Sequence, residues 1–339
     1  MKLKNLFLIV ILQLAVPTMI FAQISDKINA GKEDYPAIIP RTLLVELIEE
    51  DPEEMADLQK KIDKAKKQEK KDEAIKEKDD YLAYIKSYNA LIKPTVEKYW
   101  KFNKNIEFKK TSEIKAISPL ERGKYVVLFI RVQGDNGIHG LRTSLSVPFL
   151  YYDRMERSLF ANKTTSLADY KIYLPSSGPN SEYTAGDIIF AIRAMQANME
   201  YNSKNEKKKN FESFAKVMAK QNCGRIKSKT LLIDNNIKHD NLDEEKVKNA
   251  CNSNVKFVTA EEVSKAASAE DEKYAIVLSI PFGIVKAGSA VQVSRLAYVK
   301  TIMDAKTGDI LGFMEPGMGQ FYDFPLRPSN LNELCGCDK

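Results

Sequence analysis

Four cysteines and two histidines carry the widest chemical repertoire in this 339-residue chain. Cys223 precedes an apolar stretch that begins at Lys229, Cys251 closes a helical pattern, and Cys335-Gly336-Cys337 stands near the carboxyl end. Four cysteines allow three pairings, and structural bridges are their default use in an oxidising compartment. Cys223 with Cys251 is the preferred pairing, as both lie in one repeat unit described below. A Cys-x-Cys pair also suits a strained, reducible bridge or half of a soft-metal site, since thiolates bind soft metals and strain raises the reduction potential. Thiol-redox or metal-binding chemistry at Cys335 and Cys337 is therefore the alternative function, although no histidine is near them in sequence.

His139 sits in GDNGIHG, where Gly134, Gly137 and Gly140 are spaced like a phosphate loop. Such a loop follows a strand and opens a helix. This one leads into LRTSLSVPFL, a strand pattern, so it reads as a turn. The other histidine, His239, lies in a different part of the chain. No Gly-x-Ser-x-Gly, His-Glu-x-x-His or glycine-rich Lys-Ser/Thr motif is present. Asp304 and Asp309 flank a turn and read as its caps rather than as an acid-base pair. The sequence thus assigns no catalytic residue and calls for no cofactor; a hydrolase is only a third option.

The elements that must position these residues are repeated. KYVVLFIRV (124–132) and KYAIVLSIP (273–281) are nearly the same buried strand at an offset of 149. Upstream the offset holds without a gap, pairing NIEFKKTSEI (105–114) with NVKFVTAEEV (254–263). RTLLVE (41–46) matches KTLLID (229–234) at an offset of 188, so the first copy carries an insertion of 188 − 149 = 39 residues. Each unit reads strand, helix, strand, short helix, strand, then a hairpin. In the second copy VSRLAYVKTIMDAKTGDILGF turns at Gly308; in the first, LSVPFLYYDRMERSLF places Asp153 near the position of Asp304. The fold class is α/β (α+β), as two tandem homologous mixed-sheet domains over 41–160 and 229–316.

The insertion, about 47–84, is highly charged, with Met55, Leu58, Ile62 and Ala65 stepping by three and four and Tyr81, Ile85, Tyr88 and Ile92 resuming the step. A protruding helix or helical hairpin follows, with a narrow apolar stripe suited to one partner helix. That stripe supplies the interaction candidates, and packing on its own domain is the competing reading. Between the copies, 161–228 reads as a Ser/Thr-rich loop, KTTSLADYKIYLPSSGPNSEYT, and two connecting helices, GDIIFAIRAMQANMEYN and FESFAKVMAKQN. The apolar face Ile188, Ile189, Ile192, Met195 and Met199 suits core packing. Residues 317–339 form a tail ending in the Cys-Gly-Cys sequence.

The chain opens MKLKNLFLIVILQLAVPTMIFAQ, the charged, apolar and small-residue order of a signal peptide over 1–22, followed by a linker over 23–40. The run is broken by Gln13 and Pro17 and lacks a basic stop-transfer flank, so no transmembrane segment is expected after cleavage. Cleavage leaves 50 basic residues against 46 acids, a net charge of +4. Lysines are mostly interleaved with acids, which gives no nucleic-acid footprint. The expected location is periplasmic or secreted.

The second copy, with YAIVLSIP followed by YVKTIMDAKTGDILGF, resembles the periplasmic α/β domain shared by the TolB amino-terminal region, the penicillin-binding-protein activator lipoproteins and the curli-secretion lipoprotein. The likeness centres on the Asp-x-x-Thr-Gly hairpin from Ile302 to Leu311 and covers about 229–313, and more faintly 41–160. It implies an envelope binding module without catalysis and brings no active-site residues. This chain departs from it in having no cysteine for lipidation near the leader and in its charged insertion. The resulting expectation is a non-catalytic binding or scaffolding protein of a bacterial envelope, with an envelope protein as partner.

Overall fold

TLLVEL and TLLID carry unbroken apolar runs with no polar alternation, the pattern of strands covered on both faces. In the computed structural model they are the central strands of two five-stranded sheets. The structure describes residues 32, 34–118, 120–132, 138–144, 166–173, 183–207, 209–287, 293–314 and 324–337.

The first half runs α1 (Asp34–Ile38), β1 (Thr42–Leu47), α2 (Pro52–Lys64), α3 (Gln68–Tyr99), β2 (Ile106–Lys110), α4 (Thr111–Lys115), β3 (Tyr125–Val132), β4 (Ile138–Ser144) and β5 (Ser166–Tyr173). Helices α5 (Ala185–Lys204) and α6 (Phe211–Asn222) come next. The second half runs β6 (Thr230–Asp234), α7 (Glu244–Cys251), β7 (Asn254–Val258), α8 (Ala260–Ala269), β8 (Tyr274–Ala287), β9 (Val293–Asp304), β10 (Ile310–Met314) and α9 (Pro328–Cys335).

The α/β class holds, and the two sheets match in order, strand direction and register. One is ordered β2-β1-β3-β4-β5 and the other β7-β6-β8-β9-β10. In each, three parallel strands are followed by an antiparallel meander. Leu43 stands opposite Ile106 as Leu231 stands opposite Val255, and Thr42 opposite Tyr125 as Thr230 opposite Tyr274. The sequence offsets of 188 and 149 carry each residue to the same lattice point of the other sheet.

Two expectations about the first half are corrected. The Ser/Thr-rich segment is not all loop: Ser166–Tyr173 is β5, hydrogen-bonded to β4 with Ile138 opposite Tyr173, so the first sheet extends past residue 160. Its polar residues alternate with apolar ones, as an antiparallel edge strand permits. The insertion also does not end near Tyr84. Helix α3 runs 32 residues, about 48 Å at ~1.5 Å per residue, and its second half buries Ile85, Tyr88, Ile92, Val96 and Tyr99 in the core. Asp153 lies outside the described residues, as do Gly134 and Gly137.

Helix α5 is a connector in sequence but a core element in space. Thr184 and Asp187 form its capping box. Its apolar residues, Met195 and Met199 included, join one buried cluster with Leu43, Val126 and Leu128 of the first sheet and Leu232, Ile276 and Met303 of the second. A second cluster covers the other face of the second sheet under α7 and α9, with Leu331 and Leu334 buried in it. No helix among the described residues is long and apolar enough to cross a membrane.

Candidate functional site

The cysteines come together at the carboxyl end of α9. Cys223 ends α6, Cys251 is the last residue of α7, and Cys335 is the last of α9. The bridges are Cys223–Cys337 and Cys251–Cys335, with Cα separations of 5.4 and 5.0 Å. The Cys223–Cys251 pairing expected from the repeat is therefore wrong. The reason is long-range: α9 packs on α7 and on β10 through Leu331 and Leu334, which brings its last turn to both partners. Cys335 and Cys337 belong to different bridges, so they form no Cys-x-Cys pair. Among the described residues there is no free thiol and no group of three or more metal-ligating side chains.

The Asp-x-x-Thr-Gly turn is a polar node. Asp304, 0 % exposed, accepts from Lys229 Nζ at 2.8 Å and Arg225 Nη2 at 2.7 Å through one oxygen. Its other oxygen accepts from the backbone N–H groups of Lys306 and Thr307 at 2.9 and 3.2 Å. Arg225 also reaches Asp309 at 2.6 Å. Burial pushes the Asp304 carboxyl upward, but Lys229 and the two N–H groups outweigh it and hold the carboxyl below its ordinary value. Asp304 thus caps the turn, as its spacing predicts, while Asp309 turns to Arg225. Every donor is already matched to an oxygen, so the node ties the β9–β10 hairpin to the turn after α6.

Gly308 closes this turn with φ +75°, and a Cβ there would stand 2.8 Å from the Arg193 side chain. Gly308→Ala is expected to cost about 1–3 kcal/mol in a denaturant melt, from strain and steric contact together. Gly308→Asn, which tolerates the left-handed region, meets the same wall; full rescue by Asn would show that backbone conformation alone sets the glycine requirement.

Lys300 is a residue the sequence reading passed over. It is 1 % exposed, and its Nζ donates to Ser279 Oγ at 2.7 Å and to the Phe324 carbonyl at 2.8 Å. A serine beside a lysine can be a nucleophile with its base. Here Ser279 Oγ donates to the same Phe324 carbonyl at 2.9 Å, so its proton points away from the amine. The pair fastens the segment before α9 to β8 and β9. Its one trace in the sequence is a lysine inside the apolar run YVKTIM.

His139 stands in β4 opposite Val132 and Ile172, so the glycine-rich sequence joins two strands, as read. His239 Nδ1 accepts from the Asn241 N–H at 3.2 Å beyond the end of β6. The two histidines thus belong to different sheets.

The interaction candidates lie on α2, which Asp51 caps by accepting from the N–H groups of Glu53 and Glu54. Leu58 is buried, and Met55, Ile62 and Ala65 are half-buried. The stripe is turned onto α3, where Ala74 is buried, and the helices are tied by Lys61–Glu77 and by Lys78 donating to Gln59. The partner helix for that stripe is in the same chain, and the outward surface of the hairpin is charged. Comparison with protein-family models, with curated proteins and with solved structures gives no match.

Proposed function

We propose that this chain is an exported, non-catalytic binding or scaffolding protein of a bacterial cell envelope. The observation that carries the reading is the α2–α3 hairpin, a charged projection built on a helix whose other half is anchored in the core. Binding modules present rigid elements of this kind. Two disulfides support an oxidising compartment, in keeping with the leader-like opening. The Asp304-to-Leu311 hairpin keeps its resemblance to periplasmic binding modules as a further support.

The test is crosslinking and pull-down from envelope extracts with the mature chain, in parallel with a shortened hairpin. The Asp51 N–H donates to Tyr81 Oη at 2.8 Å, so a short Gly-Ser turn can join these positions in place of residues 52–80. Specific partners that disappear on shortening would place binding on the hairpin. Partners kept by both forms would place it on the α/β body, and recovery of none by either would sink the reading.

A further inference from the structure

The charge of the hairpin is sorted along its length. Residues 60–71, at its far end, hold seven lysines against Asp63 and Glu69, 7 − 2 = +5, and all seven are exposed. Residues 49–59 and 72–80, below them, hold eleven acids against Lys76 and Lys78, 2 − 11 = −9. Among the described residues, Lys61–Glu77 is the one ion pair between tip and flank. Lys76 pairs with Asp80 inside the flank itself.

We infer that the hairpin is a self-association surface, pairing antiparallel with the same hairpin of a second copy so that each basic tip lies against the acidic flank of the other. The face of α3 beside its α2 contact fits this in detail. Gln68, Lys71, Ile75, Lys78 and Leu82 step by three and four, with Asp72 and Asp79 alongside. Ile75 is 38 % exposed and one of three exposed large apolar side chains among the described residues. A two-fold axis through Ile75 sets Lys71 against Asp79 of the second copy and Asp72 against Lys78 of the second copy, each twice, with Ile75 meeting its equivalent. Every ionic contact in that register joins opposite signs. Present commitments there are surface bonds, Lys78 to Gln59 and Gln68 to Asp72, which exchange readily. An anionic membrane would match the tip and leave the flank unmatched, whereas a second copy uses both.

Exposed ion pairs are individually weak and screened by salt, so the dimer is expected to be concentration-dependent and at least about tenfold weaker at roughly 0.5 M than at 0.05 M salt. The test uses the purified mature chain in analytical ultracentrifugation. Lys71→Glu with Lys78→Glu makes the face wholly acidic, and Asp72→Lys with Asp79→Lys makes it wholly basic. Each variant alone is expected to be monomeric with an unchanged circular dichroism spectrum, and an equimolar mixture is expected to dimerise. Ile75→Cys, in a chain whose native cysteines are all bridged, should be joined by a short bis-maleimide, and Lys67→Cys at the tip should not. A wild-type chain that stays monomeric to roughly 0.5 mM, where a Kd of about 1 mM would already show, overturns the inference, as does a dimer that ignores both charge reversals. Sedimentation of a monomeric chain with phosphatidylglycerol vesicles would assign the tip to an anionic surface instead. No envelope component enters this experiment, so its outcome is independent of the proposed function.

Discussion

Asp304→Ala is expected to lower stability by about 3–5 kcal/mol, the cost of breaking a buried ion pair from one side. The substitution leaves Lys229, with a side chain only 11 % exposed, without its counter-charge. It also removes the acceptor for the N–H groups of Lys306 and Thr307. Asp304→Asn keeps an acceptor oxygen and loses the charge, so it should fall between Ala and wild type. Asp309→Asn is the control: Asp309 and Arg225 are each 40 % exposed, and such pairs contribute about 0–1 kcal/mol. Urea midpoints measured side by side decide the matter. Equal effects at positions 304 and 309 would show that burial does not set the strength of this node.

Acid should report the same group. The folded Asp304 carboxyl titrates below its ordinary value, so the unfolded chain binds its proton first. The stability Asp304 contributes is complete above the unfolded value and is lost as the pH falls through the folded one. Asp187 and Asp234 work in the opposite direction, because burial pushes both carboxyls upward. Their contribution is complete below the unfolded value and is lost as the pH rises through their raised ones. Asp304→Asn should therefore flatten only the more acidic part of the stability profile.

The second large effect comes from the bridges, which are nested: Cys251–Cys335 lies inside the loop closed by Cys223–Cys337. With one bridge present, the other closes only a ring of 251 − 223 = 28 residues on one side and 337 − 335 = 2 on the other. On chain-entropy grounds, removing either bridge alone by paired Cys→Ala substitution should cost about 3.5 kcal/mol. Removing the second should cost about 4.7 kcal/mol more, because it opens the whole loop of ~100 residues. Together that is most of the stability of an ordinary domain. Guanidinium unfolding of the two single-bridge variants and of the bridgeless one measures both steps. A second step smaller than the first would argue that lost core packing, rather than chain topology, dominates.

What the sequence made legible was local or periodic. The strand pairs at 124–132 and 273–281 stand at equivalent sheet positions because apolar runs encode buried strands and their spacing survives in register. Ile85, Tyr88 and Ile92 are buried because a helical step is written into any amphipathic helix. The parts missed depend on where distant segments dock. The bridges follow from the seating of α9, which no feature of the Cys-Gly-Cys sequence reveals. The cations on Asp304 come from 79 and 75 residues away, and the Lys300 anchor requires the Phe324 carbonyl, 24 residues on. Strand β5 escaped because its pattern is half polar within a Ser/Thr-rich segment.

The position of α5 has a consequence for how the chain can come apart. Its apolar residues are shared by both sheets, so neither half keeps a closed interior when the other unfolds. Leu232, Ile276 and Met303 would lose their cover along with Leu43, Val126 and Leu128. Two sheets that are equivalent on paper therefore make a single cooperative folding unit, whose melting is all-or-none, and a fragment cut to contain one repeat is not a smaller version of the whole.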